Sequence, residues 1–175
     1  NIMSFGNIKK ENGQNPILNY IKNSNADIVC MQEYAGSETA KIHLSNKEIR
    51  QALKDYPYHN IKQVGKTGAG SQLACYSKFP ILSARMLDYR SNYNGSMVYE
   101  IKIGKDTVLL INNHLESNKL TREDKVVYED MLKDPKAGKV KSGVRQLVNK
   151  LAEASAIRSA QARTIAQEIA HSPYP

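Results

Sequence analysis

Apolar residues fall into runs of strand length through most of the chain and into helical spacing towards its end. Ile2-Met3-Ser4-Phe5 alternates and predicts a strand. Asn12-Gly13-Gln14-Asn15-Pro16 is turn chemistry, with Asn15 placed to cap a helix and Pro16 as its first residue. Ile17, Leu18, Tyr20 and Ile21 give that short helix one apolar face. Next, the run Ala26-Asp27-Ile28-Val29-Cys30-Met31 has strand length and ends in the polar pair Gln32-Glu33. Strand, helix and strand in this order predict a parallel pairing through a right-handed crossover.

Residues 46–55 read as a second helix, with Ile49, Ala52 and Leu53 turned inward and Tyr56-Pro57-Tyr58-His59 breaking it. Thr67-Gly68-Ala69-Gly70-Ser71 is a flexible turn. Residues 72–77 and 81–86 read as strands on either side of Lys78-Phe79-Pro80. Residues 96–103 and 106–112 form a hairpin around Gly104-Lys105. Its second arm, Thr107-Val108-Leu109-Leu110-Ile111, is apolar without a break and predicts a central strand covered on both faces. From Thr121 the character changes. Thr121-Arg122-Glu123-Asp124 is a capped helix start, and Asp134-Pro135-Lys136-Ala137-Gly138 breaks that helix. A long helical pattern then carries Val144, Leu147, Leu151, Ala154, Ile157, Ile165 and Ile169 to a stop at His171-Ser172-Pro173. The expected organisation is one α/β domain over residues 1–175, with a helical segment at 121–172 inside it.

Composition narrows the picture modestly. The 175 residues are 41% hydrophobic and 24% charged, which is globular rather than disordered. The net charge of +8 attracts polyanions such as nucleic acid or anionic lipid headgroups, although the cations, from Lys9-Lys10 to Lys139, Lys141 and Arg145, are dispersed. Cys30 and Cys75 each lie in a strand-like run and read as free, buried thiols. No stretch reaches the roughly 20 apolar residues that a membrane helix needs. The first residues lack the pattern of a signal peptide, and the abrupt opening reads as a chain from which upstream sequence has been removed.

The candidate chemistry sits where strands end. Glu33 places a carboxylate at the C-terminal end of a buried strand, where ligands of open α/β sheets gather. Hard divalent cations take such oxygen ligands, often only one or two from protein. His114, in Asn112-Asn113-His114-Leu115-Glu116-Ser117, follows another apolar strand and has the chemistry to stabilise charge on a phosphoryl oxygen. Asn7 follows the first strand. Each residue alone has a plainer reading: a solvated Glu, a structural His, a turn Asn. His43, His59 and His171 carry no assignable role.

Taken in order, Ile-Met-Ser-Phe followed by Asn7, Asp27-Ile28-Val29-Cys30-Met31-Gln32-Glu33, Tyr56-Pro57-Tyr58, the Ser77-Lys78-Phe79-Pro80-Ile81 strand pair and Asn112-Asn113-His114-Leu115-Glu116-Ser117 resemble the endonuclease/exonuclease/phosphatase superfamily. The resemblance covers residues 1 to about 117 well and the later helices loosely. It implies a four-layer α/β sandwich of two packed mixed sheets with outer helices, of which this chain holds the N-terminal half. It also implies metal-dependent phosphoester hydrolysis, by a nuclease or phosphatase. Glu33 matches the family's Mg²⁺-binding (or Mn²⁺-binding) glutamate, and His114 matches the histidine that contacts the scissile phosphate. Asn7 stands near the family's asparagine at the metal and substrate, one place late because Gly6 intervenes, and Asn113 would lie against the substrate. The family's Gly-Asp-x-Asn turn and closing Asp-His pair are not in this sequence. The expectation is therefore a truncated chain that is inactive by itself, with an apolar half-sandwich face open to self-association. Two other readings differ in class. One is a non-catalytic basic module that grips nucleic acid or anionic headgroups. The other is a structural or interaction domain docking a partner through the long C-terminal helix.

Overall fold

A computed structural model describes residues 1–7, 15–36, 44–64, 72–89, 91, 93–133 and 138–175. The turns expected at 67–71 and 134–137, most of that at 12–16, and His43 lie outside the described residues. The chain divides into two compact units, residues 1–114 with 167–175, and residues 115–166.

In the first unit, helix α1 (Pro16–Asn23) starts as the sequence predicts. The Asn15 side chain accepts from the Leu18 N–H at 3.0 Å, and Pro16 opens the helix. Helix α2 (Asn46–Ala52) starts at a capping box, with Ser45 and Glu48 satisfying each other's backbone N–H groups. The strands are β1 (Ile28–Tyr34), β2 (Tyr58–Gln63), β3 (Gln72–Ser77), β4 (Ile81–Met86), β5 (Gly95–Ile103) and β6 (Asp106–His114). They form two three-stranded antiparallel sheets, ordered β1-β3-β2 and β4-β5-β6.

Layering follows from which side chains share a face. Met31, Tyr34, Ala74 and Tyr76 of the first sheet form one core with Leu18 and Ile21 of α1 and Ile49 of α2. Its other face packs Leu73 and Cys75, with Val64 after β2, against Met97, Tyr99 and Ile101 of β5. The inner face that a half-sandwich was expected to leave open is thus covered. On the outer face of the second sheet, Arg85 pairs with Glu168 in the last turns of helix α4 (Gly138–His171). Helices, sheet, sheet and helix end make the expected sandwich order.

Three expectations are corrected. Residues 2–5 are not a strand: Met3, Ser4, Phe5 and Gly6 all have positive φ, from 43° to 78°, a left-handed turn that no ladder can use. The strain is offset by burial of Phe5 edge-on to Tyr34, 5.4 Å between ring centres, and by the Asn15 amide donating to the Phe5 carbonyl. A single backbone bond, from Ile2 N–H to Gln32 O, remains of the expected parallel pairing. Second, β6 is not central. It lies at the edge of its sheet and is mostly half-buried, while β5 takes the middle. Third, residues 58–63 form edge strand β2 where only a helix break was expected.

In the second unit, helix α3 (Arg122–Lys133) begins at Thr121, whose hydroxyl accepts from Asp124 N–H while Asp124 accepts from Thr121 N–H. Asp124 also pairs with Lys150 of α4 at 2.7 Å. Gly143 lets the two helices approach: a Cβ there would lie 2.7 Å from a Val127 methyl. Leu147, Ala154 and Gln161 form the buried stripe of α4, while Ile157 and Ile169 face outward. No helix among the described residues is long and apolar enough to cross a membrane.

Candidate active site

Strand β1 runs out in a bulge, and the bulge aims Glu33. Gln32 pairs with Leu73 and Tyr34 with Gln72, so two consecutive ladder positions on β3 face three residues on β1. Glu33 is the extra residue, and its φ is +53°. Strict alternation would set Tyr34 on the same face as Cys30 and Gln32. The bulge instead turns Tyr34 to the helix side beside Met31, where its hydroxyl meets that of Tyr76 at 3.2 Å. Burial raises the Tyr34 phenol pKa far above its ordinary value. Glu33 is thereby released from the ladder and remains partly exposed at the sheet end. A left-handed, non-glycine residue costs about 1–2 kcal/mol, and strain of this kind gathers at functional sites.

On the second sheet, Val108, Leu110, Asn112 and His114 share the inner face of β6 by alternation. His114 Nε2 lies 3.5 Å from Glu33 Oε1, which brings the ends of the two sheets together. Its Nδ1 is buried and, among the described residues, has no hydrogen-bond partner. Beside His114 in the ladder is Gly95, where an added Cβ would stand 2.6 Å from Val64 Cβ. Only the absence of a side chain lets β5 pass this closely to Val64 of the first sheet.

Asn112 carries the alignment of the pair. It is 2% exposed, and its Nδ2 donates to the carbonyls of Met31 at 3.3 Å and Ala74 at 3.1 Å. Its Oδ1 accepts from Gln32 Nε2 at 2.6 Å. One amide therefore ties β6 to both β1 and β3 directly below Glu33 and His114. Sequence reasoning passed over Asn112. Its signal was an uncharged amide standing at an inward position of an apolar strand, since a buried amide needs partners.

The other two expected residues are not joined to this pair. Asn113 lies on the opposite face of β6, where its Oδ1 accepts from Ser96 Oγ at 2.5 Å, and Ser96 in turn meets the Tyr89 hydroxyl. Asn7 ends the left-handed turn, and among the described residues no hydrogen bond connects it to Glu33 or His114. His59 stacks on Tyr76 at 5.3 Å, and His171 bonds the Gln167 carbonyl within its own helix.

No group of three or more His, Cys, Asp or Glu side chains converges among the described residues, so a closed protein cage for a metal is not present there. The donor set still fits a hard cation that takes part of its coordination from substrate and water. Glu33 offers carboxylate oxygens at an open sheet end.

Packed sheets with outer helices, and a carboxylate and imidazole meeting where the strands end, define an α/β sandwich with an edge site. Residues 2–171 match the Endonuclease/Exonuclease/phosphatase family, and the chain belongs to that family of phosphoester hydrolases. Similar solved structures include truncated TDP2 of Caenorhabditis elegans, with 22% identity over 69% of this chain and 49% of that one and a TM-score of 0.41. D. rerio TDP2 complexed with single strand DNA product has 14% identity over 70% of this chain and 46% of that one, with a TM-score of 0.42. A β-hairpin deletion mutant of the Staphylococcus aureus β toxin has 16% identity over 77% of this chain and 64% of that one, with a TM-score of 0.41. This chain spans between roughly two fifths and one half of the length of the TDP2 structures it matches. No curated protein matches its sequence.

Proposed function

We propose that the complete protein is a metal-dependent phosphoester hydrolase, with Glu33 as its Mg²⁺ or Mn²⁺ ligand and His114 as its phosphate-contacting residue. The observation that carries this reading is the bulge. It holds a carboxylate in a strained conformation at a sheet end, 3.5 Å from an imidazole brought by the other sheet. When bound, the divalent ion supplies Lewis-acid stabilisation of charge on the phosphoryl group and leaving oxygen. Glu33 provides the fixed anionic ligand, and Asn112 keeps the two sheet ends in register. His114 donates a hydrogen bond from Nε2 to a non-bridging phosphate oxygen as charge develops there. Asn7 and Asn113 are proposed as outer contacts to metal or substrate. The net charge of +8 favours polyanionic substrates, nucleic acid or a phospholipid headgroup. The 175-residue chain alone is proposed to be inactive, because Glu33 and His114 do not by themselves position a water for in-line attack.

The test is hydrolysis of a chromogenic phosphodiester by the complete protein before and after chelation. Activity is expected to vanish in EDTA and to return with excess Mg²⁺ or Mn²⁺. Turnover that persists in the chelator contradicts the reading. Tight, salt-dependent polyanion binding without turnover in either metal would favour the non-catalytic basic module instead.

A further inference from the structure

Between the two sheets lies a cluster around Cys30 and Cys75 that the proposed hydrolase chemistry does not use. Cys30 of β1 and Cys75 of β3 are direct register partners in an antiparallel ladder, and both are free thiols. Directly opposed residues have Cα atoms roughly 4.5 or 5.5 Å apart, and both spacings fall inside the 4.4–6.8 Å that a disulfide spans. Asn60 of β2 is the register partner of Cys75 on its other side, and its Oδ1 is buried without a hydrogen-bond partner among the described residues. Tyr99 packs in the same cluster from the second sheet, fully buried, with its hydroxyl likewise unpaired among the described residues. Two unsatisfied polar atoms beside a thiol pair are costly in a core and call for a further group to bond.

We propose that Cys30 and Cys75 are a peroxide-responsive pair that closes to a cross-strand disulfide. The two thiols differ in the way such a pair requires. Cys30 is partly exposed and Cys75 is not. The neighbouring Cys75 thiol holds Cys30 below the usual thiol range, while the neighbouring Cys30 thiol and burial push Cys75 up. Cys30, the thiol of the pair that solvent reaches, is therefore the attacking sulfur. Its thiolate attacks a peroxide oxygen, the O–O bond breaks, and the departing hydroxide takes up a proton to leave as water. The Cys30 sulfenic acid that results places a polar S–O–H group in the core. The Tyr99 hydroxyl supplies a donor and the Asn60 Oδ1 an acceptor for that group. Cys75 sulfur then attacks Cys30 sulfur, the S–O bond breaks, and hydroxide leaves with the Cys75 proton as a second water. The two sulfurs lose two electrons, and the peroxide is reduced to two waters. The bond would pin β1 to β3 three residues before Glu33.

The experiment is hydrogen peroxide treatment of the folded protein, followed by alkylation under denaturing conditions and intact mass without reductant. The expected product is a monomer lighter by two hydrogen atoms, with neither cysteine alkylated, and reverted by dithiothreitol. Peptide mapping should join the Cys30 and Cys75 peptides. In Cys75→Ser, oxidation should stop at a Cys30 sulfenic acid trapped by dimedone. The proposal is overturned if Cys75 stays alkylatable after Cys30 has been oxidised in the parent protein. A dimer joined through Cys30 would overturn it equally. The parent measurement decides the matter even if the variant does not fold, and it is independent of hydrolase activity.

Discussion

Replacing Glu33 by Ala in the complete protein is expected to lower kcat/KM for phosphoester hydrolysis by at least about 100-fold, with the fold intact. The first half of the expectation follows from the proposed role: without the carboxylate, the cation has no fixed anionic ligand on β1. The second half follows from geometry. Glu33 is a bulge residue outside the ladder, partly exposed, and its loss removes no core packing. Glu33→Gly sharpens the test. At φ +53° glycine carries no steric penalty, so this variant should be no less stable than the parent while showing the same loss of activity. A residue retained for structure would behave the other way round, because relieving its strain would cost nothing in function. The check is kcat/KM beside the urea midpoint for both variants. Activity within a few-fold of the parent in either one removes Glu33 from the site.

The second large effect is expected on stability. Asn112→Asp keeps the shape of the side chain and changes only what it donates. The two bonds to the Met31 and Ala74 carbonyls are lost, and a carboxylate would face both carbonyls at 2% exposure. Breaking a buried network so that an unpaired charge remains costs about 3–5 kcal/mol. Asn112→Ala leaves no charge and should cost less, roughly 1–3 kcal/mol. Urea unfolding of the three proteins measures the order parent, Ala, Asp. Equal stabilities would mean that the amide does not join the sheets. Because the same amide sets β6 against β1, kcat should fall in Asn112→Ala even at temperatures where the protein remains folded.

What the sequence displayed, and what it concealed, follows from how each segment is buried. The hairpin of β5 and β6, the cap at Asn15 and the stop of α4 near His171 were legible, because turn residues and caps write their geometry locally. Strand β2 was not. Tyr58-His59-Asn60-Ile61-Lys62-Gln63 is an edge strand whose residues are exposed or half-buried, so no apolar alternation marks it. The unbroken apolar run in β6 suggested cover on both faces, whereas it reflects half-burial at an edge where the Leu109 N–H reaches the Pro175 carbonyl. The segment at residues 2–5 carried strand-forming residues but turns left-handed, with Phe5 buried edge-on against Tyr34, a contact 29 residues away that no local pattern contains.

The site shows the same division. Glu33 and His114 were visible as polar residues closing apolar strands, and the structure sets them 3.5 Å apart. The bulge that turns Glu33 out was not visible, because a left-handed glutamate has no sequence signature. The role of Asn112 depends on carbonyls 38 and 81 residues away, which no local pattern contains. Asn113 and Asn112 look equivalent in the sequence, yet alternation sends one to Ser96 on the outer face and the other into the space between the sheets.

If Glu33 holds the divalent cation of a phosphoester site, Mn²⁺ binding followed by electron paramagnetic resonance reports it without reference to turnover. The complete protein and its Glu33→Gln variant would each be titrated with Mn²⁺ in the presence of a non-hydrolysed phosphorothioate diester. The expected result is loss of the free-Mn²⁺ signal with the parent protein and retention of that signal with Glu33→Gln, with His114→Gln still binding the ion. Equal binding by the parent and Glu33→Gln would mean that Glu33 is not a ligand of the ion.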